Sequence, residues 1–151
     1  MHFTKLITMV LQLKGIIPPM ITPLKSYDEL DRQGVERLIE HIIGGGVHGL
    51  FLLGTNGEGP SLSYKIKKEF LKLSCEIIKG RVPVLVGITD SSFAGAMEMA
   101  DYSKIVGADS VVVAPPFYFP TTEAEMINYL EHLAAATPLP FVLQYANAHQ
   151  D

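Results

Sequence analysis

The sequence predicts an α/β fold in which short apolar strands alternate with amphipathic helices around a parallel sheet. Two observations carry this expectation. Four consecutive strand-then-helix units are followed by the opening of a fifth strand, which implies parallel pairing. The connections are also similar in length, and each strand carries its polar residues at its C-terminal end. Two architectures are open to such a chain. A doubly wound sheet would be a complete domain at 151 residues, whereas an eight-stranded barrel needs about 250. The regularity of the units favours barrel units, cut short.

Met1 to Leu13 is partly apolar, with Phe3, Leu6, Ile7, Val10 and Leu11 at helical spacing. Lys5 and Gln12 interrupt it and no small-residue cleavage site follows, so it is not a signal peptide, and it is too short for a membrane span. It reads as an N-terminal extension, residues 1–13, either amphipathic or translated upstream of a start at Met9. Gly15 to Pro23 is the first strand, its prolines expected at the ends. Asp31 caps the next helix, whose buried face is Val35, Leu38, Ile39, Ile42 and Ile43 and which stops at Gly44-Gly45-Gly46.

Val47 to Leu53 is the second strand and leads into Gly54-Thr55-Asn56-Gly57-Glu58-Gly59, the turn around which the chain is organised. Glycines let backbone N–H groups approach a ligand, Thr55 and Asn56 add side-chain donors, and the helix that follows favours negative charge. A small carboxylate or phosphate would suit such a turn. The alternative is an ordinary βα turn without a ligand, and no lysine completes a P-loop.

Ser63 starts the next helix, with Ile66, Phe70, Leu73 and Ile77 inward and Lys65, Lys67, Lys68 and Lys72 turned mostly to water. Val82 to Ile88 is the third strand. Ser91 or Ser92 caps a small-residue helix through Ala94, Ala96, Met97, Ala100 and Ile105, ended by Gly107. Ser110 to Ala114 is the fourth strand, and Pro115 to Pro120 a stiff aromatic loop. Thr122 with Glu125 forms a capping box for a helix carrying Met126, Ile127, Leu130 and Leu133, and Phe141-Val142-Leu143 opens the fifth strand.

A formal charge of −4, without a lysine or arginine cluster, argues against nucleic acid or an anionic membrane as partner. The one cysteine, Cys75, excludes an internal disulfide and fits a reducing cytoplasm; it reads as a buried, inert thiol. His41, His48 and His132 lack partners at ligand spacing and read as structural or surface residues, so neither a metal nor a cofactor is expected.

Gly15 to Pro23, Gly46-Val47-His48-Gly49-Leu50, Gly54-Thr55-Asn56-Gly57-Glu58, Pro83 to Gly87, Gly107-Ala108-Asp109 and Pro116-Phe117-Tyr118 together resemble the dihydrodipicolinate synthase and N-acetylneuraminate lyase family. The resemblance implies a (β/α)8 TIM barrel truncated to about its first half, with residues 14–143 as the partial aldolase domain. It implies a class I aldolase or lyase in which a strand-six lysine forms a Schiff base with pyruvate or a similar 2-oxo acid. The turn from Gly54 to Glu58 would hold the substrate carboxylate, with Thr55 and Asn56 facing it and Glu58 bracing the turn. Thr55 would also join a hydroxyl relay with a strand-five tyrosine and with Tyr118, a residue that neighbouring subunits contribute in the synthases; interface packing is the other reading of Tyr118. Full-length relatives are homotetrameric. This chain, with open sheet edges, is expected to self-associate.

Two departures matter. The family's lysine lies one βα unit beyond Leu143, so the chain is expected to be inactive alone. After Leu143 the family expects Tyr-Asn-x-Pro, whereas the chain has Gln144-Tyr145-Ala146-Asn147, which leaves Tyr145 one place out of register for a catalytic phenol. One encoding of Leu143 to Gln150, moved forward by a nucleotide, reads Tyr-Asn-Met-Pro-Met-Leu-Ile-Lys. Residues 144–151 are therefore expected to be a frameshifted tail, and the shifted reading, lacking the arginine of synthases, leans toward a sugar-acid aldolase or lyase. A noncatalytic 2-oxo-acid-binding or regulatory subunit is the competing expectation.

Overall fold

The structure, a computed structural model, describes residues 13–116 and 120–144. After an extended segment, the chain forms an antiparallel ribbon of β1 (Leu24–Ser26) and β2 (Glu29–Leu30), followed by helix α1 (Arg32–Gly44). Then βα units succeed one another: β3 (Leu50–Leu52) and α2 (Tyr64–Ile78), β4 (Val84–Gly87) and α3 (Phe93–Ile105), β5 (Ser110–Val113) and α4 (Glu123–Ala136), and last β6 (Phe141–Leu143).

β3, β4, β5 and β6 pair in parallel and in chain order, with Leu50 opposite Val84, Val86 opposite Val111, and Val112 opposite Val142. A doubly wound sheet reverses its strand order at a switch point, whereas a barrel adds each strand beside the last. The unbroken order therefore decides between the two architectures, and the chain folds as consecutive units of a (β/α)8 barrel.

The first expected strand forms only in part. Its backbone lies parallel to β3 through one bridge between Pro19 and Phe51, with Phe51 N–H donating to Pro18 O (3.1 Å) and Met20 N–H to Phe51 O (2.8 Å). Pro18 and Pro19 have no N–H to donate, so a continuous ladder cannot form there. The β1–β2 ribbon has no counterpart in the sequence reading.

The helix starts follow their local chemistry. Asp31, Ser63 and Ser92 each accept a hydrogen bond from the N–H three residues on, and Thr122 with Glu125 closes the reciprocal capping box. Alternation along the strands sends Leu50, Leu52, Val84, Val86, Val111 and Val113 into a core with Val35, Ile39, Ile66, Phe70, Ile78 and Met99 from the helices. Phe51, Leu85 and Val112 point to the other face, which in a barrel is the interior.

Several side chains depart from the expected faces. In α2 it is Leu71 and Ile78 that are fully buried, while Leu73 and Ile77 are half-buried. Ile105, at the last turn of α3, is 77% exposed. Lys67 is the larger correction: it is only 6% exposed, whereas Lys65, Lys68 and Lys72 reach carboxylates at the surface. It is held largely out of water with its ammonium 4.8 Å over the Tyr64 ring, so a cation–π contact takes the place of part of its hydration. Burial depresses its pKa, and nearby Asp90 opposes that shift. Cys75 is half-buried, and desolvation pushes its thiol up to about 11, so it is the unreactive group expected.

Candidate functional site

A cavity of about 210 Å³ opens at the C-terminal ends of the parallel strands. It is lined by Phe51 on β3 and Leu53, Gly54, Thr55 and Pro60 after it, by Gly87 at the end of β4 and Thr89 after it, by Val112 on β5 and Ala114 and Pro115 after it, and by Gln144 after β6. Its volume is several times the ~30 Å³ share of one water, enough for a small metabolite. This is the end of the sheet at which barrel enzymes place their chemistry.

The turn from Gly54 to Gly59 contributes Gly54 and Thr55 to the wall. Glu58 N–H donates to Thr55 O (3.0 Å) and Gly59 N–H to Gly54 O (3.2 Å), a nested pair closed by Glu58 in the left-handed region at φ +54°. The other left-handed residue here is Leu53, at φ +57°. The glycines of the turn therefore serve a different purpose from the one a turn usually asks of them: close approach. A Cβ on Gly57 would come within 2.8 Å of Met20 O, and one on Gly54 within 2.6 Å of the Phe51 ring. Thr22 Oγ1 donates to Gly57 O (2.7 Å), tying the turn to the first segment.

Among the described residues, no protein acceptor takes the N–H groups of Gly54, Thr55, Asn56 or Gly57. Of these four successive amides, those of Gly54 and Thr55 belong to cavity-lining residues, and amides without an internal partner can donate to a small anion's oxygens. Thr55 is exposed and lines the cavity. Asn56 and Glu58 are exposed and Gly57 is buried, and none of the three is part of the cavity wall. Tyr118 and Tyr145 lie outside the described residues.

Two wall residues escaped sequence reasoning. Thr89 Oγ1 accepts from Ala114 N–H (2.8 Å) and so bridges the ends of β4 and β5. Gln144 continues the β6 ladder, its N–H donating to Val113 O (2.8 Å), and takes the cavity position that the resemblance assigns to a tyrosine. Both sit one or two residues past the end of a strand, and that position was the signal available.

The walls contain no titratable side chain among the described residues. The cavity as lined can hold and orient a ligand, and it supplies neither an acid, a base nor an amine. His48 Nδ1 accepts from Ile16 N–H (3.1 Å) and His132 Nδ1 contacts Asn128 O (2.7 Å), both local structural roles far from ligand clustering. No group of three His, Cys, Asp or Glu side chains among the described residues could hold a metal, and no helix among them is long and apolar enough to cross a membrane.

Residues 12–148 match the model of the dihydrodipicolinate synthetase family. The chain is 53% identical to a dihydrodipicolinate synthase from Bacteroides thetaiotaomicron, with a TM-score of 0.84 over 87% of this chain and 44% of that one. YagE of Escherichia coli K12 is 36% identical over 129 residues, 85% of this chain and 43% of YagE. The crystal structure of YagE in complex with pyruvate superposes at a TM-score of 0.83. An N-acetylneuraminate lyase from Mycoplasma synoviae superposes at 0.79 with 27% identity, covering 87% of this chain and 46% of that one. The chain thus spans less than half the length of each of these relatives.

Proposed function

The chain belongs to the dihydrodipicolinate synthetase family, and from that premise we propose that it supplies the carboxylate-holding side of a Schiff-base aldolase or lyase site for a pyruvate-like 2-oxo acid. The observation that supports this reading is the row of amides from Gly54 to Gly57 that have no acceptor among the described residues, its first two residues lining the cavity at the strand ends. A 2-oxo acid entering there would set its carboxylate against the Gly54 and Thr55 amides and the Thr55 hydroxyl, charge-assisted bonds stronger than neutral ones. That leaves its keto carbon toward the middle of the cavity.

The amine that forms the iminium is not among the described residues of the cavity wall. It belongs to a βα unit other than those described, and the iminium nitrogen would act as electron sink while hydroxyls move the proton. In this reading residues 14–143 are the partial aldolase domain, 1–13 an extension and 144–151 an out-of-register tail; Thr55 joins the proton relay, with Tyr118 and Tyr145 as its further candidate members and Asn56 and Glu58 shaping the turn. The chain alone binds weakly and does not turn over. Its setting is the cytoplasm, and copies of the chain self-associate through open sheet edges.

The test is borohydride reduction in the presence of pyruvate, followed by mass analysis, alongside calorimetric titration with pyruvate. The reading expects weak saturable binding and no trapped adduct. A reduced adduct on any lysine of the chain, or sugar-acid cleavage by the chain alone, would overturn it. The competing reading, a noncatalytic sensor of 2-oxo acids, is favoured by the same free amides, and tight binding without an adduct would select it.

A further inference from the structure

Leu53 is a residue whose backbone conformation is hard to explain by its own preferences. It is a leucine, 3% exposed, in the left-handed region at φ +57°, immediately after a strand and immediately before the free amides. L-residues with a Cβ avoid that region, and persistent exceptions are held by their surroundings and cluster where geometry serves a ligand.

The surroundings here can be named. The Leu53 carbonyl oxygen is packed against the Cα atoms of Gly59 and Gly87, so closely that a Cβ at either position would collide with it. A Cβ on Gly87 would also stand 3.3 Å from Gly54 N. Neither glycine has a positive φ; each is required for space and not for conformation. Because the peptide is planar and trans, fixing the direction of the Leu53 carbonyl fixes the Gly54 N–H antiparallel to it. The conformation at Leu53 thus decides where the first free amide points.

We propose that Leu53 is the positioning residue of the carboxylate-holding turn, and that Gly87, reaching over from the end of the next strand, is the surface that holds Leu53 left-handed. The proposal rests on the reading of the turn given above and adds the element that sets its amides. It also assigns Gly87 a role that its place in β4 does not require, since an alanine could occupy that strand backbone.

Three variants of the full chain test it: Gly87→Ala, Leu53→Gly and Leu53→Ala. Pyruvate binding is read by calorimetry, and the sign of φ at residue 53 by backbone scalar couplings in the absence of ligand. Gly87→Ala is expected to lose the left-handed couplings at residue 53 and to weaken binding roughly tenfold, the change that follows when the competent conformer falls to about a tenth. Leu53→Gly and Leu53→Ala both delete the side chain, but only glycine adopts the left-handed region freely. The glycine variant is therefore expected to bind about fivefold more tightly than the alanine variant. If Gly87→Ala keeps residue 53 left-handed, or if Leu53→Ala binds as well as Leu53→Gly, the proposal is overturned. If the unmodified chain does not bind pyruvate, the reading of the turn fails instead, and the ligand-free couplings still decide whether Gly87 holds Leu53.

Discussion

The two ends of the parallel sheet treat their polar groups in opposite ways. At the N-terminal ends of the strands, backbone groups are paired reciprocally within the protein. Ile16 and His48 exchange two bonds, His48 N–H to Ile16 O (2.8 Å) and Ile16 N–H to His48 Nδ1. Val84 and Asp109 do the same, with Val84 N–H donating to the Asp109 carboxylate (2.8 Å) and Asp109 N–H to Val84 O (3.0 Å). At the C-terminal ends, four successive amides have no acceptor among the described residues, and two non-glycine residues sit at positive φ. One end is finished by the protein itself. The other pairs Ala114 with Thr89 but, at the turn after β3, is built at a conformational cost and left open, which is the distribution expected when stability is placed at one end of a barrel and ligand contact at the other.

That contrast can be broken experimentally, most forcefully at the closed end. Asp109→Ala leaves the Val84 N–H without its acceptor and is expected to cost about 1–2 kcal/mol of stability, read by denaturant titration, with pyruvate binding unchanged in the folded fraction. An equal loss of binding would mean the ends are not separable. At the open end the sign reverses: Glu58→Gly places a glycine where φ is +54° and is expected to stabilise the chain by about 1 kcal/mol. A drop in stability would show that the Glu58 side chain holds the turn.

Tyr64→Phe removes the hydroxyl that donates to Asp90 (2.5 Å) and is expected to cost about 1 kcal/mol near neutral pH. The bond to Asp90, and secondly burial, raises the Tyr64 phenol to about 12 from 10. Its contribution is therefore complete below pH 10 and disappears as the pH climbs toward 12. Burial pushes the Asp90 carboxyl up, but donation from Tyr64 and Ser92 outweighs it and holds the group below 3.8. The acid-side contribution is thus present above pH 3.8 and lost as the pH falls through the lowered value. Thermal melts of the two proteins should differ between these limits and converge beyond them; a difference constant at every pH would assign the effect to packing. The smallest stability change is expected at Thr55, whose exposed side chain makes no hydrogen bond among the described residues. Thr55→Val should melt within about 0.5 kcal/mol of the parent while weakening pyruvate binding. Equal binding by the two would remove the hydroxyl from the site.

Features set by neighbours in sequence were legible before the fold. The caps at Asp31, Ser63 and Ser92 and the Thr122–Glu125 box depend on residues three apart, and the parallel βα order depends on apolar runs broken by glycine and proline. Features set by distant neighbours were not. Lys67 reads as a solvated lysine, but the fold buries it, with its ammonium over the Tyr64 ring one turn back in the same helix and near Asp90 beyond the end of β4. Pro18 and Pro19 read as strand ends, yet they sit in its middle because β3 needs only the carbonyl of Pro18 and the N–H of Met20 from that edge. In the turn, the motif from Gly54 to Glu58 was visible, but the positive φ angles fall on Leu53 and Glu58, and no rule that looks to glycine for such angles would find them. Thr89 and Gln144 reach the cavity through strand register alone.

The account turns on whether the open end holds a carboxylate. Titrating the isotopically labelled chain with pyruvate and following its backbone amides tests this directly. The amides of Gly54, Thr55, Asn56 and Gly57 should shift together and saturate at a common concentration, with those of Ile16 and Val84 at the closed end unmoved. Shifts confined to other surfaces, or none at the turn at concentrations that saturate a full-length relative, would contradict it.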